Sequence, residues 1–225
     1  MTTQNLELSS SSNLDVSQFQ HTPYYCEENV FFLCKKLCES GTADAKGSDL
    51  FVVFISNEKK QIPLWHQKAS NRADGVILWD YHVICIQQKK NGGDSPHLVW
   101  DLDSSLPFPS PLDLYISETI RPSFQLFSEY QSRFFRIVHA PVFLQTFASD
   151  RRHMKDSVGN WIAEPPAYDP IVAEDGMVHN LNEYLDIHAS DVAENAGVDL
   201  TSAVFSEKLG VVISHSQLEG FFSQI

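Results

Sequence analysis

What this chain has little of narrows its function before any motif is read. Basic residues are scarce, with 16 Lys and Arg against 29 Asp and Glu and a formal net charge of −13. The basic pairs Lys59 and Lys60, Lys89 and Lys90, and Arg151 and Arg152 are isolated doublets. A nucleic-acid surface needs a clustered basic stripe, so no nucleic-acid partner is expected. The 4 cysteines, Cys26, Cys34, Cys38 and Cys85, lack the dense spacing of a secreted disulfide scaffold and are expected as reduced thiols. The 9 histidines show neither HxxxH nor HExxH spacing and no CxxC pair is present, so no metal is expected. No stretch approaches the roughly 18 uninterrupted apolar residues of a membrane span. The Ser-rich opening "MTTQNLELSSSSNLDVSQFQ" has neither the basic nor the apolar region of a secretory signal and reads as a flexible polar tail over residues 1–20. A soluble intracellular protein with no membrane partner is the expectation.

What is present is ordinary globular material: 43% hydrophobic and 20% charged residues over 225 positions, enough to bury one core. Val30, Leu33, Cys34, Leu37 and Cys38 follow the i, i+3, i+4, i+7, i+8 spacing of a helix with one buried face. Extending that stripe back by one helical step puts Cys26 inward at the first turn. "LFVVFIS" reads as a buried strand and "GVILWDYHVICIQQ" as a long second one. The turn signal "NGGD" at 91–94 should fold the latter into a hairpin with "HLVWDLD". Downstream, "RPSFQLFSEYQ" reads as a helix, "RFFRIVHA" as a strand and "PVFLQTFAS" as a short helix. "SDRRHMKDSVGNWIAEPPAYDP" reads as a long ordered loop, and the signals over 183–203 are weak. The end is a strand and a helix capped near Ser216. The pattern predicts a single α+β domain over residues 21–225 with a mostly antiparallel sheet packed with helices.

The chemistry-bearing residues sit on these elements. A thiol at a helix N-terminus is favoured as thiolate by the backbone dipole. Glu27 and Glu28 oppose that, so a catalytic Cys26 needs a compensating cation such as an imidazolium. On strand alternation His82 shares a face with Asp80, Ile84 and Ile86. A hairpin turning about Gly92 sets His82 opposite residues 101–103, where Asp101 and Asp103 both qualify as the group that orients the ring. Spacing leaves the choice between the two aspartates open.

The stretches "YYCEENV", "FVVFISNEKKQIPLWHQKA", "VILWDYHVI", "VWDLDSSLPFP" and "FASDRRHMKDSVGNW", with "HNLNEYLDI" and "LGVVISHSQLEGFF" near the end, together closely resemble the protein N-terminal glutamine amidohydrolase family. The stretch over 188–204 is longer than that family's pattern. The resemblance implies deamidation of an N-terminal glutamine to glutamate with release of ammonia. It implies Cys26 as nucleophile, His82 as the catalytic histidine and Asp101, rather than Asp103, as the aspartate. It also implies a papain-like or transglutaminase-like cysteine hydrolase core, a thioester intermediate and no cofactor. The implied setting is the cytoplasm and nucleus, where the product feeds arginylation and degradation in the N-degron pathway. The implied partners are proteins and peptides bearing N-terminal Gln and the arginyltransferase of that pathway, and a monomer suffices.

Selecting an N-terminal glutamine requires a receiver for a free α-ammonium. Glu27 is the candidate, with Asp80 sharing the task; Trp79, Tyr81 and Trp65 are candidate pocket walls. Ser149, Asp150 and His153 are further candidates in the polar loop, with loop anchoring as the plainer alternative. The competing functions are a transglutaminase-like acyl transferase and a non-catalytic module that binds protein N-termini.

Overall fold

The run Leu50–Ser56 is apolar almost throughout because both faces of the strand it forms, β1, are covered. Leu50, Val52 and Phe54 pack into one core, while Phe51, Val53 and Ile55 pack into a second on the opposite side. The computed structural model describes residues 15–88, 97–121, 133–192 and 200–225. The sequence-based readings of a turn at 91–94 and of a helix over 121–131 fall outside them, apart from Arg121.

Around β1 the chain adds β2 (Ile62–Leu64), β3 (Ile77–Trp79), β4 (His82–Gln87), β5 (Leu98–Trp100), β6 (Ser110–Pro111), β7 (Phe134–His139) and β8 (Val211–Ser214). A six-stranded sheet runs in the order β6-β5-β4-β1-β7-β8, and its pairings are antiparallel. The helices are α1 (Cys26–Glu39), α2 (Leu112–Tyr115), α3 (Ala140–Thr146), α4 (Leu181–Leu185), α5 (Leu200–Ser206) and α6 (His215–Phe222). Leu33 and Leu37 of α1, Phe143 of α3 and Tyr184 of α4 fill the first core; Leu112 of α2, Val204 of α5 and Phe222 of α6 fill the second. Each such fully buried large apolar side chain contributes roughly 1.5–3 kcal/mol relative to exposure. The α+β class with an antiparallel sheet is as the periodicities predict.

The expected hairpin is present in its arms. β4 and β5 pair as Cys85↔Trp100, Ile86↔Val99 and Gln87↔Leu98, a register that carries His82 toward residue 103. The single long strand expected over 75–88 is not formed. β3 ends at Trp79 in a separate two-stranded sheet with β2, and β4 begins at His82. Between them Asp80 Oδ1 accepts the Tyr81 backbone N–H at 2.9 Å, a local side-chain bond that competes with the strand ladder. Asp80 is therefore exposed on a bend rather than aligned with His82 on one strand face.

Other differences lie at the ends. Phe19, inside the stretch read as a tail, is buried against Trp100 and Phe108 at ring distances of 6.0 and 5.3 Å. Helix α6 is capped by Ser214 rather than Ser216, with its N–H donating 2.9 Å to Gln217 Oε1. Gly210 turns the chain into β8 at φ +58°, where a Cβ would lie 1.9 Å from the Ile137 carbonyl oxygen. Only glycine fits there.

Candidate active site

Cys26 is the first residue of α1, and the chain entering it is clamped. Asn29 Oδ1 accepts the Thr22 N–H at 2.8 Å while Asn29 Nδ2 donates to the Thr22 carbonyl at 2.8 Å. Tyr24 takes a left-handed turn at φ 70°, and the following Tyr25 is fully buried. The acidic first turn and Lys36 in the last turn both suit the helix dipole. The helix ends where Thr42 and Ala43 N–H groups bond back to Leu37 beyond a left-handed Gly41.

The thiol is buried, and burial is the main influence raising its pKa well above the usual thiol range; the charges of Glu27 and Asp103 add to this. A backbone hydrogen bond from Val83 works the other way, and Asp80 again raises it. The dipole argument from sequence is thus outweighed at this thiol by desolvation.

His82 is fully buried, and its Nε2–H donates to Asp101 Oδ1 at 3.1 Å. Its other nitrogen, Nδ1, is buried with no hydrogen-bond partner. The Trp79 ring stacks on the imidazole at 4.9 Å and 25°, held by its own Nε1–H bond to Gln67 at 3.1 Å. Asp101 also accepts from the Tyr115 hydroxyl at 2.7 Å and from the Asp103 N–H at 3.0 Å. Burial works against the imidazolium of His82, but the charge and hydrogen bond of Asp101 more than offset it and its pKa is raised. Burial likewise opposes ionised Asp101, yet His82 and the donated hydrogen bonds lower its pKa. Asp103, the competing aspartate, pairs with His21 Nε2 at 2.8 Å.

The two glutamates after Cys26 have separate fates, though both are fully buried. Glu28 takes a forked ion pair from Arg151, whose Nε and Nη2 each reach it at 3.0 Å. Arg151 also donates to the Pro166 carbonyl at 3.2 Å and lies over the Tyr168 ring at 4.8 Å, tying the long loop to α1. Glu27 Oε2 accepts the Tyr81 hydroxyl at 2.9 Å and the Cys26 thiol at 3.7 Å. Its Oε1 accepts no hydrogen bond, and His153 Nε2 stands 3.4 Å away.

A cleft of about 820 Å³ opens over this arrangement. Cys26, Trp79, Asp80, Tyr81 and His153 line it, with the exposed apolar side chains of Tyr24, Leu78 and Ile162 at its walls. Trp65 is not among the described lining residues. Ser149 and Asp150 serve the loop itself: Ser149 N–H donates to the Ile171 carbonyl at 3.0 Å, and Asp150 pairs with Arg152 at 2.8 Å. Tyr115, His21 and Arg151 were not singled out for the site from sequence, and no local pattern marks them, since each acts through a partner distant along the chain. A thiol on the wall of the cleft and a buried imidazole–carboxylate pair are group types that covalent acyl-transfer chemistry uses.

Comparison with known proteins gives one answer. The model of the N-terminal glutamine amidase family matches residues 21–222. The protein N-terminal glutamine amidohydrolase of Arabidopsis thaliana is 65% identical over 212 residues, covering 94% of this chain and 95% of its own. That of Oryza sativa subsp. indica is 56% identical, covering 94% and 90%. That of Drosophila melanogaster is 41% identical over 170 residues, covering 76% and 80%.

Proposed function

This chain belongs to the N-terminal glutamine amidase family, and from that premise we propose that Cys26, His82 and Asp101 are the triad with which it hydrolyses the side-chain amide of a protein's N-terminal glutamine. The observation that carries this reading is the buried His82–Asp101 pair, whose imidazole keeps Nδ1 without a hydrogen-bond partner, in a fold whose cleft is lined by the Cys26 thiol at the head of α1. Nε2 is committed to the carboxylate, so Nδ1 is the nitrogen available to take the thiol proton.

The Cys26 thiolate attacks the glutamine δ-carbonyl, and the Cys26 N–H, in the first turn where helix donors have no intrahelical acceptor, faces the developing oxyanion. The imidazolium gives its proton to the departing ammonia, leaving a thioester on Cys26. Neutral His82 then deprotonates a water that attacks the thioester; glutamate leaves and the thiol is restored. Tyr115 and the Asp103 N–H hold Asp101, and Trp79 holds the ring plane, so these are positioning groups. Glu27, with Asp80 at the cleft rim, receives the substrate's α-ammonium, and Trp79 and Tyr81 wall the side-chain pocket. We read the Cys, His, Asp order on a helix and an antiparallel sheet as a papain-like or transglutaminase-like core. The physiological setting that follows is the N-degron pathway of cytoplasm and nucleus, with arginylation acting on the new N-terminal glutamate. Among the described residues, no helix is long and apolar enough to cross a membrane.

Mass spectrometry on peptides with an N-terminal glutamine, an N-terminal asparagine or an internal glutamine tests the reading. Conversion to glutamate is expected only at the N-terminal glutamine and should be lost in Cys26→Ala. Conversion by Cys26→Ala at the wild-type rate would remove Cys26 from the chemistry.

A further inference from the structure

The first turn of α1 holds a carboxylate that a thiolate nucleophile would be better without. Glu27 is 0% exposed, and its Oε2 accepts the Cys26 S–H at 3.7 Å, so in this state the thiol proton is directed at Glu27 while His82 Nδ1 has no partner. The other groups whose charge bears on the thiol do not relieve it. Asp103 after β5 and Asp80 between β3 and β4 are both acidic. The Tyr81 hydroxyl is spent on Glu27 Oε2 at 2.9 Å.

A buried carboxylate oxygen without a hydrogen bond is costly unless something else pairs with it. Glu27 Oε1 is such an oxygen. The side chains that meet the Glu27 carboxylate in these polar contacts, Cys26, Tyr81 and His153, all line the cleft. Of these, His153 is the loosely held one: its side chain is 20% exposed, its Nε2 makes only 3.4 Å approaches to Glu27 and Tyr81, and its Nδ1 has no partner. It occupies the place of a cation and is displaceable by a better one.

We propose that the substrate's α-ammonium displaces His153 from Glu27 Oε1 and thereby releases the Cys26 proton from Glu27 to His82 Nδ1, so that the nucleophile forms only on a chain end with a charged free amine. This rests on the triad reading above and adds where selection for the N-terminus acts, which is in the chemical step as well as in binding. The ammonium donates charge-assisted hydrogen bonds to the carboxylate and neutralises the negative charge that opposes a thiolate. In the transfer the S–H bond breaks, an N–H bond forms on Nδ1, and the ammonium keeps its proton. An acetylated, cyclised or internal glutamine has no ammonium and leaves the thiol protonated. The raised pKa of Cys26 agrees with the resting half of this cycle.

The test titrates the ultraviolet absorbance of the thiolate in wild type, with Cys26→Ala subtracted. The probe is L-norvaline methylamide, which carries the α-ammonium and a side chain of glutamine-like length without its amide; N-acetyl-norvaline methylamide is the control. At probe concentrations that inhibit deamidation, the Cys26 thiolate fraction at neutral pH should rise about tenfold, one pKa unit, and the acetylated probe should leave it unchanged. Glu27→Gln should show more thiolate without probe, no response to it, and a KM for N-terminal glutamine peptides that rises more than kcat falls. An unchanged thiolate fraction in wild type with inhibiting probe overturns the coupling, whatever the folding of the variant. If glutamine peptides are still deamidated in a Cys26-dependent way, the triad reading survives that result; deamidation independent of Cys26 removes both.

Discussion

Asp101 accepts hydrogen bonds from His82, Tyr115 and the Asp103 backbone while buried, and those bonds make its charge tolerable. The consequence for stability has a definite sign. His82, raised above its ordinary 6.5, contributes stability that is full below that value and fades as pH climbs through the native one. Asp101, lowered below its ordinary 3.8, contributes stability that is present above that value and fades as pH falls through the native one. Asp101→Asn should therefore destabilise most between those two ordinary values, by about 3 kcal/mol near pH 5.5, and distinctly less near pH 9. Urea unfolding of both proteins at the two pH values checks this. At this scale the sequence was legible in part: the hairpin register placed His82 within reach of residues 101–103, because strand pairing is local. Tyr115 and His21 were not legible, because a hydroxyl or imidazole that buttresses a carboxylate carries no periodic signature.

The long loop over 149–170 illustrates the same division among elements. Its irregular character was readable from proline and polar residues, but not the way it is held. Arg151, in a left-handed conformation at φ 63°, turns back onto Glu28 and staples the loop to the helix that carries Cys26. Removing one partner of a buried pair leaves an uncompensated charge. Arg151→Met should lower stability by about 3 kcal/mol in denaturant unfolding and hasten proteolytic cleavage within the loop, because Glu28 would stay buried without its cation. The split of the expected long strand into β3 and β4 has a similar origin. Alternation detects apolar faces, whereas the bend depends on one aspartate bonding its own neighbour's N–H and on Tyr81 turning inward to Glu27.

Over the whole molecule the net charge of −13 gives a negative field that favours cationic chain ends over anionic ones. Raising ionic strength screens that field beyond about 8–10 Å. The KM for a peptide with N-terminal glutamine should therefore rise severalfold between low and high salt, while kcat, set by short-range contacts inside the site, stays within about twofold. Steady-state kinetics across a salt series measures both.

By itself the sequence determined which segments are strands and helices where periodicity is strong, as in β1 and α1, and which chemistry they bring: a helix-heading thiol, a strand histidine and a hairpin aspartate, in that order. These follow from local rules of side-chain direction and pairing. Only the tertiary structure decided what Glu27 and Glu28 do. They are identical residues, adjacent in one helical turn, and no local rule separates them. A helix rotates about 100° per residue, so the two carboxylates leave α1 in different directions. One meets Arg151, 123 positions away, and becomes a structural anchor; the other meets Tyr81, His153 and the thiol beside the cleft. Which partner waits in each direction is a property of long-range packing.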